Sequence, residues 1–320
     1  MNPWADLHYL TCSVLPVRVA CNLACPFCFS RSSVSALAHE PAPLPDDALV
    51  AHFLDARARG AGRLVVTGGG EPLLRATEVL RIIRLGKTVF DEIACFTNGA
   101  LLTPELAGEL ADAGLSYLCW SRHHPDDAAN RALMGAGAPD LAAFFAASQG
   151  LRVRATCVMT RGGVEGRADA ERYLDAVSAF GVREVTFKHT YVAYAGSVFR
   201  GAPQDAWARA HRVDRDPFAG EGVVLGALPW GPEIRRIGAV NLCFYHEPTP
   251  EWELRTGIGR STNLLSDGTV YGSLEERTSR LYQLSDSPRR WPATTSRPSA
   301  PCSPSATTLA SRPTGPPPGP

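Results

Sequence analysis

Apolar and polar positions along the chain switch repeatedly between a strand-like and a helix-like period from residue 14 to about 190. Val14-Leu15-Pro16-Val17-Arg18-Val19 reads as a short strand. Asp46 and Asp47 are placed to cap a helix reaching about Arg59, with Leu49, Val50, Phe53 and Leu54 at helical spacing. Arg63 to Thr67 is a buried strand ending in Gly68-Gly69-Gly70, and Thr77 opens a helix carrying Val79, Leu80, Ile82 and Ile83. The rhythm repeats with a strand over Ile93–Thr97, a helix starting at Thr103-Pro104-Glu105 and a strand over Tyr117–Ser121. Helices over Asp126–Met134 and Asp140–Gln149, a strand over Arg152–Thr160, a helix over Asp169–Phe180 and a strand over Glu184–Lys188 follow.

Six strands alternating with helices predict an α/β fold with a parallel sheet and right-handed crossovers. Eight units would be needed for a complete barrel, so an open sheet or partial barrel is expected over residues 1–190. Residues 191–286 carry Gly, Pro, Trp and Tyr in turns and short apolar runs, and read as an irregular C-terminal region capping the sheet. Within it, Arg260 to Tyr271 with Asp267-Gly268 has the pattern of a hairpin. Residues 287–320 are rich in Pro, Ser and Thr and are expected to be disordered.

Charge refines this division. The 320 residues hold 32 basic and 32 acidic side chains, but residues 287–320 contribute four arginines and no acid, so the remainder carries 28 against 32, a net charge of −4. An acidic body argues against duplex nucleic acid as partner, because that requires clustered Lys and Arg. The N-terminus shows no signal-peptide pattern and no apolar run reaches a membrane span of about 20 residues, so a cytoplasmic protein with reduced thiols is expected. Nine cysteines then call for a metal, catalytic or packing role.

Three of them form Cys21-Asn22-Leu23-Ala24-Cys25-Pro26-Phe27-Cys28, a C-x3-C-x2-C run after the first predicted strand. Structural zinc normally closes its tetrahedron with two paired arms, and no second arm is evident beyond the adjacent His123-His124. Iron–sulfur clusters take four thiolates as a rule, so three local ones leave one iron open to another ligand. Zinc and an iron–sulfur cluster both remain readings of the spacing alone.

The run resembles the signature of the radical S-adenosylmethionine (SAM) superfamily, with Phe27 at its aromatic position before the last cysteine. Thr67-Gly68-Gly69-Gly70-Glu71-Pro72, after the second strand, resembles the family's GGEP motif, and Thr97-Asn98-Gly99 is a weaker match after the third. The resemblance implies a partial six-fold (β/α) barrel, a [4Fe–4S] cluster on Cys21, Cys25 and Cys28, and SAM on the open iron. It implies that SAM is cleaved reductively to a 5′-deoxyadenosyl radical that abstracts substrate hydrogen. An external one-electron donor of flavodoxin or ferredoxin type would be the redox partner.

On the same resemblance, Gly69 and Gly70 allow close approach to the methionine end of SAM, Glu71 holds its ammonium, and Phe27 lies beside the adenine. Asn98 is a contact to cofactor or substrate, or simply accepts left-handed geometry before Gly99. Ser121, with Arg122 beside it, is placed to reach SAM or to start a loop. Thr160 to Gly163, His123-His124, Lys188 and His189 lie at strand ends on the active face; one of the last two is a candidate anchor for an anionic substrate group. Cys12, Cys95, Cys119 and Cys157 read as buried apolar residues. Cys243 reads either as another buried thiol or as a hydrogen donor to a substrate radical, as in relatives that invert a stereocentre. With only Cys243 and Cys302 beyond residue 200, auxiliary clusters are not expected. The function implied is a radical SAM enzyme acting on a small molecule or peptide, in specialised or natural-product metabolism. An RNA-modifying enzyme of the same family and a non-catalytic iron–sulfur carrier or sensor are the alternatives.

Overall fold

The structure, a computed structural model, describes residues 2–285; the expectation for the tail 287–320, including Cys302, lies outside the described residues. In chain order the elements are β1 (His8–Val14), α1 (Asp46–Ala58), β2 (Leu64–Val66), α2 (Ala76–Gly86), β3 (Ile93–Thr97), α3 (Pro104–Asp112) and β4 (Tyr117–Ser121). Next come α4 (Asp127–Met134), α5 (Leu141–Ala147), β5 (Val153–Val158), α6 (Arg167–Ser178), β6 (Glu184–Lys188) and α7 (Pro203–Ala210). The chain finishes with β7 (Val223–Ala227), β8 (Glu233–Ile237), β9 (Val240–Tyr245), α8 (Pro250–Thr256), β10 (Ile258–Leu264), β11 (Thr269–Tyr271) and β12 (Arg280–Gln283).

All the strands join one sheet of order β12-β11-β10-β1-β2-β3-β4-β5-β6-β9-β8-β7. The central run from β10 to β9 is parallel throughout, and an antiparallel hairpin extends each end. The sheet is therefore open and parallel-rich, as the alternating pattern predicts. The stretch read as irregular supplies strands to both edges, and Asp267-Gly268 makes the turn between β10 and β11, with Gly268 at φ 86°.

Two local expectations are corrected. The first strand is His8–Val14 rather than Val14–Val19. It pairs with β10 on one side and β2 on the other, and Pro16 has no N–H to give such a central ladder. Asp46 and Asp47 lie in the first turn of α1 behind Pro45, with no side-chain cap, and Asp46 instead pairs with Arg81 of α2. Two other helix starts behave as expected, since Thr103 accepts from Leu106 N at 3.2 Å and Asp126 from Ala129 N at 2.8 Å, whereas α6 begins at Arg167 behind Gly166 rather than at Asp169.

Strand alternation sorts the side chains into two layers. Ile93, Cys95, Leu118 and Trp120 pack outward under α1–α3, while Ala155, Cys157, Val185, Phe187 and Leu242 pack under α6. The alternate positions face the concave side, where Ala94, Phe96, Tyr117 and Cys119 form a small inner cluster. Cys12, Cys95, Cys119 and Cys157 are buried. The concave side thus receives Ser121, Thr156, Thr186 and Cys243, which are register partners across β4, β5, β6 and β9.

Candidate active site

The cysteine loop begins where β1 ends and is gripped by the turn after β2. A Cβ on Gly69 would lie 1.8 Å from Val17 O, and one on Gly70 1.8 Å from Ala20 O, so only glycine admits the loop backbone this closely. Glu71 N donates to Ala20 O at 2.8 Å. Gly69 and Gly70 also line a small pocket with Cys21, Cys25, Cys28, Val19 and Arg31. Val19 is the one described non-glycine residue at positive φ, 47°, a strained setting for a β-branched side chain that clusters at functional sites. No sequence pattern signalled it.

Glu71, expected from the resemblance to hold the SAM ammonium, is enclosed by protein donors in this structure. It is 3% exposed, and its carboxylate accepts from Thr97 Oγ1 at 2.8 Å, Asn98 N at 2.8 Å and Leu73 N at 3.1 Å. Burial pushes its pKa up against these donors, which favour the ionised form. The carboxylate ties the end of β3 to the glycine turn.

Asn98 continues the chain of contacts. Its Oδ1 accepts from Ala100 N at 2.9 Å, which orients Nδ2 toward Asn22 Oδ1 at 2.8 Å and Cys21 Sγ at 3.7 Å. Gly99, not Asn98, takes the left-handed conformation, at φ 81°. Leu23 N also donates to Cys21 Sγ, at 3.4 Å. Three separated motifs, in the loop, the glycine turn and the Thr-Asn-Gly end of β3, are thereby joined by backbone and side-chain hydrogen bonds.

Phe27 packs edge-on against His123, with centroids 4.8 Å apart, and lies 5.7 Å from the Trp207 ring of α7. His123 is structural: its Nδ1 accepts from Val158 N at 3.0 Å, which leaves the proton on Nε2. Burial, with Lys188 and Arg122 nearby, lowers its pKa to about 3. His124 accepts from Asp126 N at 3.0 Å. Arg122, fully buried, is committed to Asp127 Oδ1 at 2.6 Å and Pro125 O at 2.9 Å. Ser121 is half-buried at the end of β4, and Thr160 to Gly163 form a turn with Gly162 at φ 77°.

Lys188 does not stand free as an anion anchor. Its Nζ lies 2.8 Å from Glu247 Oε1, and His189 Nε2 is 3.6 Å from Glu247 Oε2. Sequence reading missed Glu247, and with it Asn22, Phe29, Tyr191 and Arg260; the one available signal was a charged side chain in a strand-like run at Arg260. Cys243 is half-buried on the concave side opposite Thr186, and burial raises its thiol pKa to about 12, so it keeps its hydrogen at neutral pH.

These features are those of a cofactor-binding parallel sheet with a thiol loop at the carboxyl ends of its first strands. The family model described as the Radical SAM superfamily matches residues 15–187, more than half of the chain, and the chain belongs to that superfamily. It is 38% identical over 102 residues to the AdoMet-dependent heme synthase of Methanosarcina barkeri, covering 32% of this chain and 28% of that one. It is 36% identical over 118 residues to the GTP 3',8-cyclase of Heliobacterium modesticaldum, covering 34% and 32%. The chain therefore spans about a third of the length of these curated relatives. Streptococcus suis SuiB, solved bound to S-adenosylmethionine, superposes with TM-score 0.55 at 13% identity over 88% of this chain and 64% of that one, a likeness of fold.

Membership makes the protein an enzyme that uses a [4Fe–4S] cluster and SAM. The residues fit the cluster by donor chemistry: three thiols line one pocket, and Cys21 Sγ receives N–H groups from Leu23 and Asn98. Burial, and then the neighbouring Cys28 and Cys21, push the Cys25 thiol up to about 12. Among the described residues no three His, Cys, Asp or Glu side chains already converge to metal-ligand geometry. No helix among the described residues is long and apolar enough to cross a membrane.

Proposed function

We propose that this protein is a hydrogen-abstracting radical SAM enzyme acting on a small molecule or peptide, in a specialised or natural-product pathway. The observation that carries this reading is the hydrogen-bonded link from Glu71 through Asn98 to Asn22 and Cys21, which fixes the cysteine loop against the glycine turn. Cys21, Cys25 and Cys28 would hold the cluster. When bound, it supplies the electron that cleaves SAM to methionine and a 5′-deoxyadenosyl radical.

The remaining work falls to this chain's own side chains. Gly69 and Gly70 shape the pocket wall beside the thiols, and Glu71 acts by holding the ends of β2 and β3 rather than by reaching outward. Phe27, set between His123 and Trp207, offers an apolar flank on the adenine side, and Asn98 and Ser121 present polar groups at neighbouring strand ends. Cys243, facing the concave side with its hydrogen retained, is placed to return hydrogen to a substrate radical. Residues 1–190 would carry the cofactors, and residues 191–286 would shape the substrate region. The electron would come from a flavodoxin- or ferredoxin-type protein in the cytoplasm. The acidic body disfavours an RNA substrate, and three local thiolates without a fourth disfavour a pure electron carrier.

Anaerobic reconstitution is expected to give about four irons and four sulfides per chain. Reduction with dithionite in the presence of SAM should then release 5′-deoxyadenosine, and Cys28→Ala should lose both cluster and release. Bound zinc without sulfide would overturn the reading.

A further inference from the structure

The thiol loop follows the carboxyl end of β1, and β1 to β6 run parallel, so the amino ends of β5 and β6 lie at the opposite end of the sheet. A groove of about 780 Å3 opens there, between the chain entering β5 and the chain entering β6. Small-molecule sites occupy roughly 300–1,000 Å3. Its origin is local. α5 and α6 are each followed by a left-handed glycine, Gly150 at φ 83° and Gly181 at φ 86°, and a Cβ on either would meet nothing within 4 Å. Two helix ends built alike leave the space between them.

Aromatic rings line one wall. Phe145 is clamped edge-on by Trp120 and Phe144, with centroids 5.4 and 5.3 Å away. Phe180 lies flat on Phe145, 4.7 Å away and 8° from parallel. Leu151, Val153 and Val182 complete the apolar surface. Phe180 is nevertheless 45% exposed, and among the described residues Phe145 is the one ring it meets. An exposed ring above a fixed apolar wall gains by being covered.

Charge decides what covers it. Arg152, Arg183 and Glu184 stand at the rim, two cations against one carboxylate. Glu184 Oε1 is taken by Arg152 Nη2 at 2.7 Å. Arg183 donates through Nη1 to the carbonyls of Ser178 and Val182, at 3.3 and 3.0 Å, and among the described residues no carboxylate pairs with it. Those contacts cover carbonyls at the end of α6 that would repel an anion, and the rest of the exposed guanidinium remains open. A cationic ligand would meet two arginines, and an uncharged one would leave Arg183 without a counter-charge. A planar ring on Phe180 with a carboxylate on Arg183, in the same turn, uses both features at once.

We propose that the groove at the amino ends of β5 and β6 binds a small aromatic carboxylate, its ring stacked on the outer face of Phe180 and its carboxylate paired with Arg183. The site is separate from the thiol loop and does not depend on the radical SAM reading.

The test is isothermal titration calorimetry of the full-length protein with 2-naphthoate at low salt. Saturable binding of one naphthoate per chain is expected. 2-Naphthamide lacks the charge and cyclohexanecarboxylate lacks the aromatic ring, and each should bind several-fold more weakly. Phe180→Ser and Arg183→Glu should each weaken naphthoate binding about tenfold, whereas Leu54→Ser, at another exposed apolar side chain, should leave it unchanged. Arg183→Glu should also bind 2-naphthylmethylammonium more tightly than wild type does, a gain that loss of folding cannot mimic. Absence of naphthoate binding, equal binding of either analogue, undiminished binding by either groove variant, or no gain for the ammonium would overturn the proposal.

Discussion

Replacing Gly70 by alanine tests whether the glycine turn holds the cysteine loop. Gly70 has ordinary backbone angles, so the substitution adds a methyl group without conformational strain. That methyl would lie 1.8 Å from Ala20 O, 2.6 Å from Ala20 C and 2.8 Å from Ala20 N, all backbone atoms that cannot swing aside. Residue 20 would have to retreat by about 1.2 Å for the closest contact to reach 3.0 Å, and the 2.8 Å bond from Glu71 N to Ala20 O would stretch with it. Overpacking costs about 1–3 kcal/mol and a lost hydrogen bond about 1 kcal/mol. A melting temperature lower by roughly 3–7 °C is therefore expected for the apoprotein. Cys21 follows Ala20 directly, so iron uptake should fall as well. Gly108→Ala is the matched control: it lies within α3 with nothing inside 4 Å of the added methyl, and should stabilise by about 0.5–1 kcal/mol. A Gly70→Ala protein that melts like wild type and takes up the same iron would refute the clamp.

Two further outcomes are expected. Asn98→Ala removes an N–H directed at Cys21 Sγ, so the cluster should become harder to reduce, by about 60 mV for a tenfold change in a one-electron couple; a redox titration followed by electron paramagnetic resonance that shows an unchanged potential would confine Asn98 to a structural role. His52 and His123 are held neutral by burial, with pKa values lowered to about 4 and about 3. The unfolded chain protonates both below about pH 6.5, so their stabilising contribution is present above that pH and is lost as acid approaches the folded values. Unfolding free energy measured with urea should therefore fall from pH 6.5 to 4, and His123→Gln should flatten the slope; an unchanged slope would show that His123 is not titrating in this way.

The site's chemistry was legible in short motifs because inorganic ligation needs particular side chains at fixed spacing. Cys21, Cys25 and Cys28 identify themselves, and so does the glycine run before Glu71. The strand–helix rhythm was equally visible: β3, β4 and β6 fall where alternation and buried apolar runs place them. One misplacement came where two signals conflicted, in the apolar run holding Pro16, whose missing N–H moves the true strand upstream to His8–Val14, and the C-terminal strands that extend both edges of the sheet went unread because their pairing is long-range.

What the sequence by itself determined is the parallel α/β core, the superfamily and the three-cysteine loop, since each follows from local spacing, periodicity and motif. Only the tertiary structure decided the direction of Glu71, which points inward because Thr97 and Asn98 from another strand supply its donors. Tertiary structure also decided that Gly70 faces Ala20, that Lys188 is neutralised by Glu247, and that Arg260 of β10 meets Tyr245 of β9. Such partners lie between 15 and 59 residues apart, on elements whose pairing no local pattern encodes, so each side chain's role depends on which partner the fold brings to it.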